Sequence, residues 1–243
     1  MKRSDELDQL LHNLHLARIA QILEAEVGDA EKHQRTYADF LTRLLRAQWH
    51  HRQETALAWR IERARLPEDW TLESFPWKRQ PGIVQREIRG YAELDFIPKA
   101  ENIVFIGKTG VGKTGLACGL LRKAIQNGYR GLFIRAQDLF DEMWASLADR
   151  SSRKLLDRLV RVDALVIDEM GYLNLRPEQT NIFFKLMEER YRRRPTIITT
   201  NLEYEEWGNF LGNPSLVEAL LGRLRDRCHT VKIKGPTLRG QEG

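Results

Sequence analysis

With 243 residues, 42% of them hydrophobic and 30% charged, the chain has the composition of an ordinary globular protein and the length for one main domain with a small attachment. No stretch approaches the ~18 consecutive apolar residues of a membrane helix, and Met1-Lys2-Arg3-Ser4-Asp5-Glu6 carries no secretory apolar core, so the pattern excludes a membrane partner and favours the cytoplasm. A formal charge of +5 and a pI near 9.3 favour polyanionic partners without identifying one.

The first elements are helical. Leu7, Leu10, Leu11 and Leu14, continuing into Ala17-Arg18-Ile19, recur at helical spacing after a Ser4 cap, and a second helix opens at Thr36 with Asp39 three positions on. Tyr37, Phe40, Leu41, Leu44, Leu45 and Gln48-Trp49 trace one face of that second helix. A small helical domain over residues 1–66, bounded by Leu66-Pro67, can bury such a stripe internally; any part left over suits a partner protein or another subunit. Residues 67–100 read as a linker carrying Trp70, Phe75, Trp77 and a helical stretch from Ile83 to Tyr91.

The third segment, 101–243, opens with a buried strand, Asn102-Ile103-Val104-Phe105-Ile106. Gly107-Lys108-Thr109-Gly110-Val111-Gly112-Lys113-Thr114 comes directly after it and fits the phosphate-loop pattern G-x-x-x-x-G-K-[ST], with a helix beginning at Leu116-Ala117-Cys118. The glycines let backbone N–H groups wrap a polyphosphate, and the helix N-terminus adds partial positive charge. Lys113 then meets the β- and γ-phosphates of ATP and the Thr114 hydroxyl meets Mg²⁺. A glycine-rich turn capping a core helix is the bland alternative, which the flanking strand and helix disfavour. Leu132 to Arg135 reads as the next strand.

Arg150, Arg153, Lys154, Arg158 and Arg161 decorate the segment before Ala164-Leu165-Val166-Ile167-Asp168-Glu169. There, four apolar residues lead into two carboxylates at the ligand-facing end of a parallel strand. Asp168 suits the Mg²⁺ water shell and Glu169 suits a general base on the attacking water; a solvated acidic pair is the alternative. A helical stretch from Glu178 runs into Arg190, Arg192, Arg193 and Arg194, and Pro195-Thr196-Ile197-Ile198-Thr199-Thr200-Asn201 supplies a further strand. Asn201 could orient water near the γ-phosphate, or mark a turn. Thr230 to Ile233 completes the strands of a parallel α/β sheet, with helices between them. Cys118 and Cys228 lack metal or redox spacing, and the six histidines, His50-His51 included, lack companions for zinc, so no structural metal is expected.

In their order, the 107–114 loop, the 164–169 strand, Thr199-Thr200-Asn201 and Ala219-Leu220-Leu221-Gly222-Arg223-Leu224 resemble the initiator-type AAA+ ATPases. Within them the chain is most similar to the IstB-like helper ATPases of bacterial insertion sequences, relatives of the replicative helicase loaders. The likeness runs from Trp70-Thr71-Leu72-Glu73-Ser74-Phe75 to His229-Thr230-Val231-Lys232-Ile233-Lys234-Gly235. It implies a P-loop AAA+ core with a central parallel sheet flanked by helices, a small all-α N-terminal domain, and no C-terminal lid domain, since only Pro236 to Gly243 remain. By the same resemblance the 107–114 loop, Lys113 and Thr114 hold nucleotide and Mg²⁺, Asp168 and Glu169 serve metal and water, and Asn201 is the sensor. Arg223 becomes an arginine finger reaching a neighbouring subunit's γ-phosphate, a role for which Arg225 and Arg227 compete. Phe75-Pro76-Trp77 falls where such proteins hold the adenine base, although an aromatic packed on the core fits equally well.

The function implied is an ATPase that forms a homo-oligomer with ATP at subunit interfaces, assembles on double-stranded DNA with little sequence preference, and delivers a target to a transposase. A helicase loader shares every site residue and differs in partner. A nucleotide-gated DNA-binding adaptor with negligible turnover is the alternative from another class, and a small-molecule kinase would need an acceptor pocket that nothing here supplies. The basic clusters suit phosphate contacts, although solvated faces and helix-end dipoles also accommodate them.

Overall fold

The computed structural model describes residues 4–171, 175–212 and 214–239; Met1 to Arg3 and Gly240 to Gly243, included in the expected first and last domains, lie outside the described residues. The chain divides into two units, Met1–Trp59 and Arg60–Gly243, so the division falls before the expected Leu66-Pro67 boundary.

In the first unit, α1 (Asp5–Asn13) and α2 (Ala17–Lys32) replace the single helix expected through Leu7 and Ile19, and α3 (Tyr37–Arg63) begins there and continues past Trp59. Helix α1 opens on Ser4, whose hydroxyl accepts the Leu7 N–H. It closes because His15 adopts φ 53°, which lets the Leu16 N–H reach the Leu11 carbonyl at 2.8 Å and the His15 N–H reach the His12 carbonyl at 3.0 Å. These paired bonds end a helix with no glycine in the sequence to announce it. Leu16 gives α2 no side-chain cap. Gln48 on α3 supplies one instead: its Oε1 accepts the Arg18 and Ile19 N–H groups at 3.0 and 3.2 Å. Thr36 caps α3 as expected, accepting the Asp39 N–H while donating to the Asp39 carboxylate. The expected stripe resolves into two rows. Leu44 is buried beside Leu11 and Ile19, whereas Tyr37, Leu41, Leu45 and Trp49, spaced by four, remain exposed.

The second unit is built on a five-stranded sheet of β1 (Asn102–Gly107), β2 (Gly131–Arg135), β3 (Ala164–Met170), β4 (Thr196–Thr200) and β5 (Cys228–Ile233). The order is β2-β3-β4-β1-β5, with every neighbouring pair parallel. Strands β1, β3 and β4 are nearly continuous apolar or β-branched runs because both faces are covered. Covering them are α5 (Lys113–Gln126), α6 (Ala136–Ala148), α7 (Ser152–Arg161), α8 (Pro177–Arg190), the short α9 (Trp207–Leu211) and α10 (Pro214–Asp226). Residues 67–100, expected as a linker, pack into this unit: α4 (Gln85–Tyr91) buries Ile88, and Phe75, Ile83, Phe96 and Ile97 are also buried.

Parallel pairing brings the C-terminal ends of β1, β4 and β3 to one edge of the sheet, with β4 in the middle. The arginine-rich clusters are largely engaged within the fold. Arg190 is buried, and its guanidinium donates to the carbonyls of Leu159 (2.8 Å), Val162 (3.1 Å) and Pro195 and to the Thr196 hydroxyl (3.1 Å). Burial pushes its pKa down to about 9. Arg190 therefore cannot contact DNA phosphates, contrary to its reading as part of a surface cluster. Arg192 pairs with Asp226, Arg194 with Asp163, Arg153 with Asp157 and Glu189, and Arg158 with Glu142. Among the described residues, no helix is long and apolar enough to cross a membrane.

Candidate nucleotide site

The loop between β1 and α5 turns at Gly110 and Gly112, and Gly112, at φ 97°, caps α5 in a left-handed conformation that an L side chain resists. This sends the chain straight from strand into helix with Lys113 and Thr114 in the first turn. Lys113 is buried, and its Nζ donates to the carbonyls of Gly107 and Lys108 at 2.8 and 2.9 Å. Burial lowers its pKa, although Asp168 and Glu169 pull the other way.

At the end of β3, Asp168 is 2% exposed. Its carboxylate accepts the Thr114 hydroxyl at 2.9 and 3.1 Å and the Thr199 hydroxyl at 2.5 Å. Burial raises the Asp168 pKa; the two hydroxyls oppose that shift and neighbouring Glu169 adds to it. Glu169 is exposed and stands at φ 60°, where the register with β4 slips between Ile167 and Met170. This bulge turns a residue out of the sheet, as bulges at functional edges do. Thr199 holds the distorted backbone, accepting the Glu169 N–H at 2.9 Å.

These groups line one cleft of about 720 Å³, within the range of small-molecule sites. Thr109, Gly110, Gly112, Lys113, Thr114, Asp168, Glu169 and Asn201 all contribute. The Asn201 Oδ1 is buried with no hydrogen-bond partner. Phe75 and Trp70 form an aromatic wall, whereas Trp77 turns its indole N–H to the Leu72 carbonyl and is not among the lining residues. Arg223 is elsewhere. It sits 3.5 Å from Glu188 near the end of α10, whose Leu224 carbonyl accepts from Asn102 at the start of β1, the end remote from the phosphate loop. Arg225 lies over the Tyr204 ring, and Arg227 donates to the Lys99 carbonyl.

Sequence reasoning misses three contributors. In sequence Thr199 is only part of a strand, and Leu238 and Arg239 are only part of a short ending, yet the latter two line the cleft. Nothing in Gly235-Pro236-Thr237-Leu238-Arg239 signals this return.

Residues 9–243 match the family model of the IstB-like ATP binding proteins. The chain belongs to this family. Relatives agree along their length. A protein named for ATP binding in insertion sequence IS5376 of Geobacillus stearothermophilus is 34% identical over 98% of this chain and 95% of the relative. One named likewise for insertion sequence IS21 of Pseudomonas aeruginosa is 34% identical over 98% and 89%. Among solved structures, the helicase loader DnaC aligns with a TM-score of 0.54 at 24% identity, covering 62% of this chain and 88% of DnaC. AMPPCP-bound DnaA from Aquifex aeolicus aligns at 0.59 and 21%, covering 70% of this chain and 51% of DnaA. At such identities these two establish the fold: this IstB-like protein has the P-loop AAA+ core.

Proposed function

We propose that this IstB-like protein binds ATP with Mg²⁺ in the cleft, hydrolyses it, assembles on double-stranded DNA and assists a transposase in selecting its target. The observation that carries the ATPase part is the convergence of Lys113, Thr114, Asp168, Glu169 and Asn201 on one cleft. The relatives' names, tied to insertion sequences, support the transposition part over helicase loading.

The donor set suits Mg²⁺. A hydroxyl and a carboxylate already in mutual contact are hard oxygen ligands of the kind Mg²⁺ takes beside phosphate, and once bound the ion would offset charge on the β- and γ-phosphates. The backbone amides of 107–112 and the Lys113 ammonium would bind the phosphates. Glu169 would accept a proton from the attacking water as its oxygen bonds to the γ-phosphorus, and the bond to the β-phosphate oxygen would break to release ADP. Asn201 would hold that water through its amide. Arg223 would act on a neighbouring subunit's nucleotide, a role consistent with its distance from its own phosphate loop.

Replacing Glu169 with Gln tests the reading. ATP binding should persist while phosphate release falls by about 100-fold or more, measured with and without plasmid DNA at two salt concentrations. An unchanged rate would instead identify an adaptor for which ATP is only an assembly ligand.

A further inference from the structure

We infer that Gln80 is a positioning residue that straps the chain after β5 onto the phosphate loop and thereby sets how long a nucleotide is retained; the retention part rests on the proposed ATP binding. Gln80 is 1% exposed. Its Nε2 donates to the Val111 carbonyl in the loop and to the Pro236 carbonyl in the tail, both at 3.0 Å. Because both partners can only accept, the amide's orientation is fixed. The Oε1 occupies the space that a Cβ on residue 235 would need, so a side chain there would push the Gln80 amide aside, and this oxygen is buried without a partner.

The tail then reaches the residues on either side of Val111. The Leu238 N–H donates to the Gly110 carbonyl at 2.7 Å, the Thr237 side chain packs on Gly110, and the Leu238 side chain meets Gly112 beside Phe75. Three consecutive loop residues are thus held by the tail or by the glutamine that joins loop to tail. In a planar peptide the carbonyl of one residue and the N–H of the next point in opposite directions. Bonds to the Gly110 and Val111 carbonyls therefore fix the directions of the Val111 and Gly112 N–H groups, which are donors a phosphate would use. The same strap brings Leu238 and Arg239 to the cleft wall. Residues 67–100 have the sequence pattern of a linker, yet one of them connects the loop to a segment 156 positions later.

The test uses Gln80→Met, which keeps the side chain's length and removes both donated bonds, and a chain ending after Gly235. Hydrogen exchange without nucleotide reports the strap, and stopped-flow release of a fluorescent ATP analogue reports retention. The Leu238 amide should exchange about tenfold faster in Q80M, and analogue release should quicken by roughly tenfold. The shortened chain should release at the same raised rate, with no further change when Q80M is added to it. Leu238 exchange that does not change, or release rates in which the two alterations add independently, would overturn the inference. If the unaltered protein failed to bind the analogue, the ATP reading and the retention role would fall together, and hydrogen exchange alone would decide whether Gln80 holds the tail. Should Q80M not fold, as judged by circular dichroism, the shortened chain decides the retention role.

Discussion

One hydroxyl serves two carboxylate residues. Thr199 donates to Asp168 and accepts from the Glu169 backbone, so it steadies a left-handed residue whose conformation costs about 1 kcal/mol or more. Thr199→Val keeps the volume and removes both bonds. The turnover rate should drop by about tenfold with a higher Mg²⁺ requirement and little change in nucleotide affinity, and Thr199→Ser should restore both; an unaltered Mg²⁺ profile would reduce Thr199 to packing. Arg190 illustrates a different burden. Its removal as Arg190→Met leaves the acceptors at Leu159, Val162, Pro195 and Thr196 unpaired. Such a change should cost about 3 kcal/mol in chemical denaturation, and Arg190→Lys should rescue little because an ammonium cannot reproduce the planar fork. Lys113, Thr114, Asp168 and Glu169 are legible in the sequence because a phosphate loop and an acidic strand end are local patterns. Thr199 is not, since which β4 threonine meets Asp168 depends on register between strands. Arg190 misleads because a charge run does not reveal carbonyls waiting inside.

Among the elements, α2 depends on a residue that is remote in sequence. Gln48 accepts two first-turn N–H groups that Leu16 cannot satisfy. Gln48→Leu should cost the N-terminal unit about 1–2 kcal/mol, and faster exchange of the Arg18 and Ile19 amides would register the loss. Unchanged exchange there would mean the cap is dispensable. Helical periodicity makes α1, the opening of α2 and α3 legible as helical, though not α2 as a separate helix, and the Ser4 and Thr36 caps stand where the sequence places them. The break near His15 escapes such reasoning because non-glycine residues adopt φ 53° without a compositional mark. The α3 stripe likewise reads as one face, since spacing alone does not say which of two adjacent rows meets a neighbour.

For the whole molecule, strands alternating with helices are enough to specify a parallel α/β sheet, and all the expected strands are present. Their spatial order is not legible, because right-handed crossovers permit several arrangements of the same chain order. That order, with β4 between β1 and β3, lets Thr199 on β4 touch both Asp168 and the backbone of Glu169. Charge is the least transparent property at this scale. A count of arginines suggests an open basic face, yet Arg153, Arg158, Arg192 and Arg194 each have a carboxylate partner. If duplex DNA binds here, the plot of log affinity against log salt should be shallower than those arginines would give if each simply met a phosphate.

An arginine that leaves an acid for a nucleic acid backbone merely trades one anion for another, and the abandoned carboxylate then needs a cation of its own. Asp163 would keep Arg130 and Glu142 would keep Arg65, but uptake of an ion by Asp226 would partly cancel the ions shed by DNA. Moderate added salt would loosen these internal clasps while weakening long-range attraction, so the grip would still be tightest in dilute buffer and would relax only gradually as ions are added.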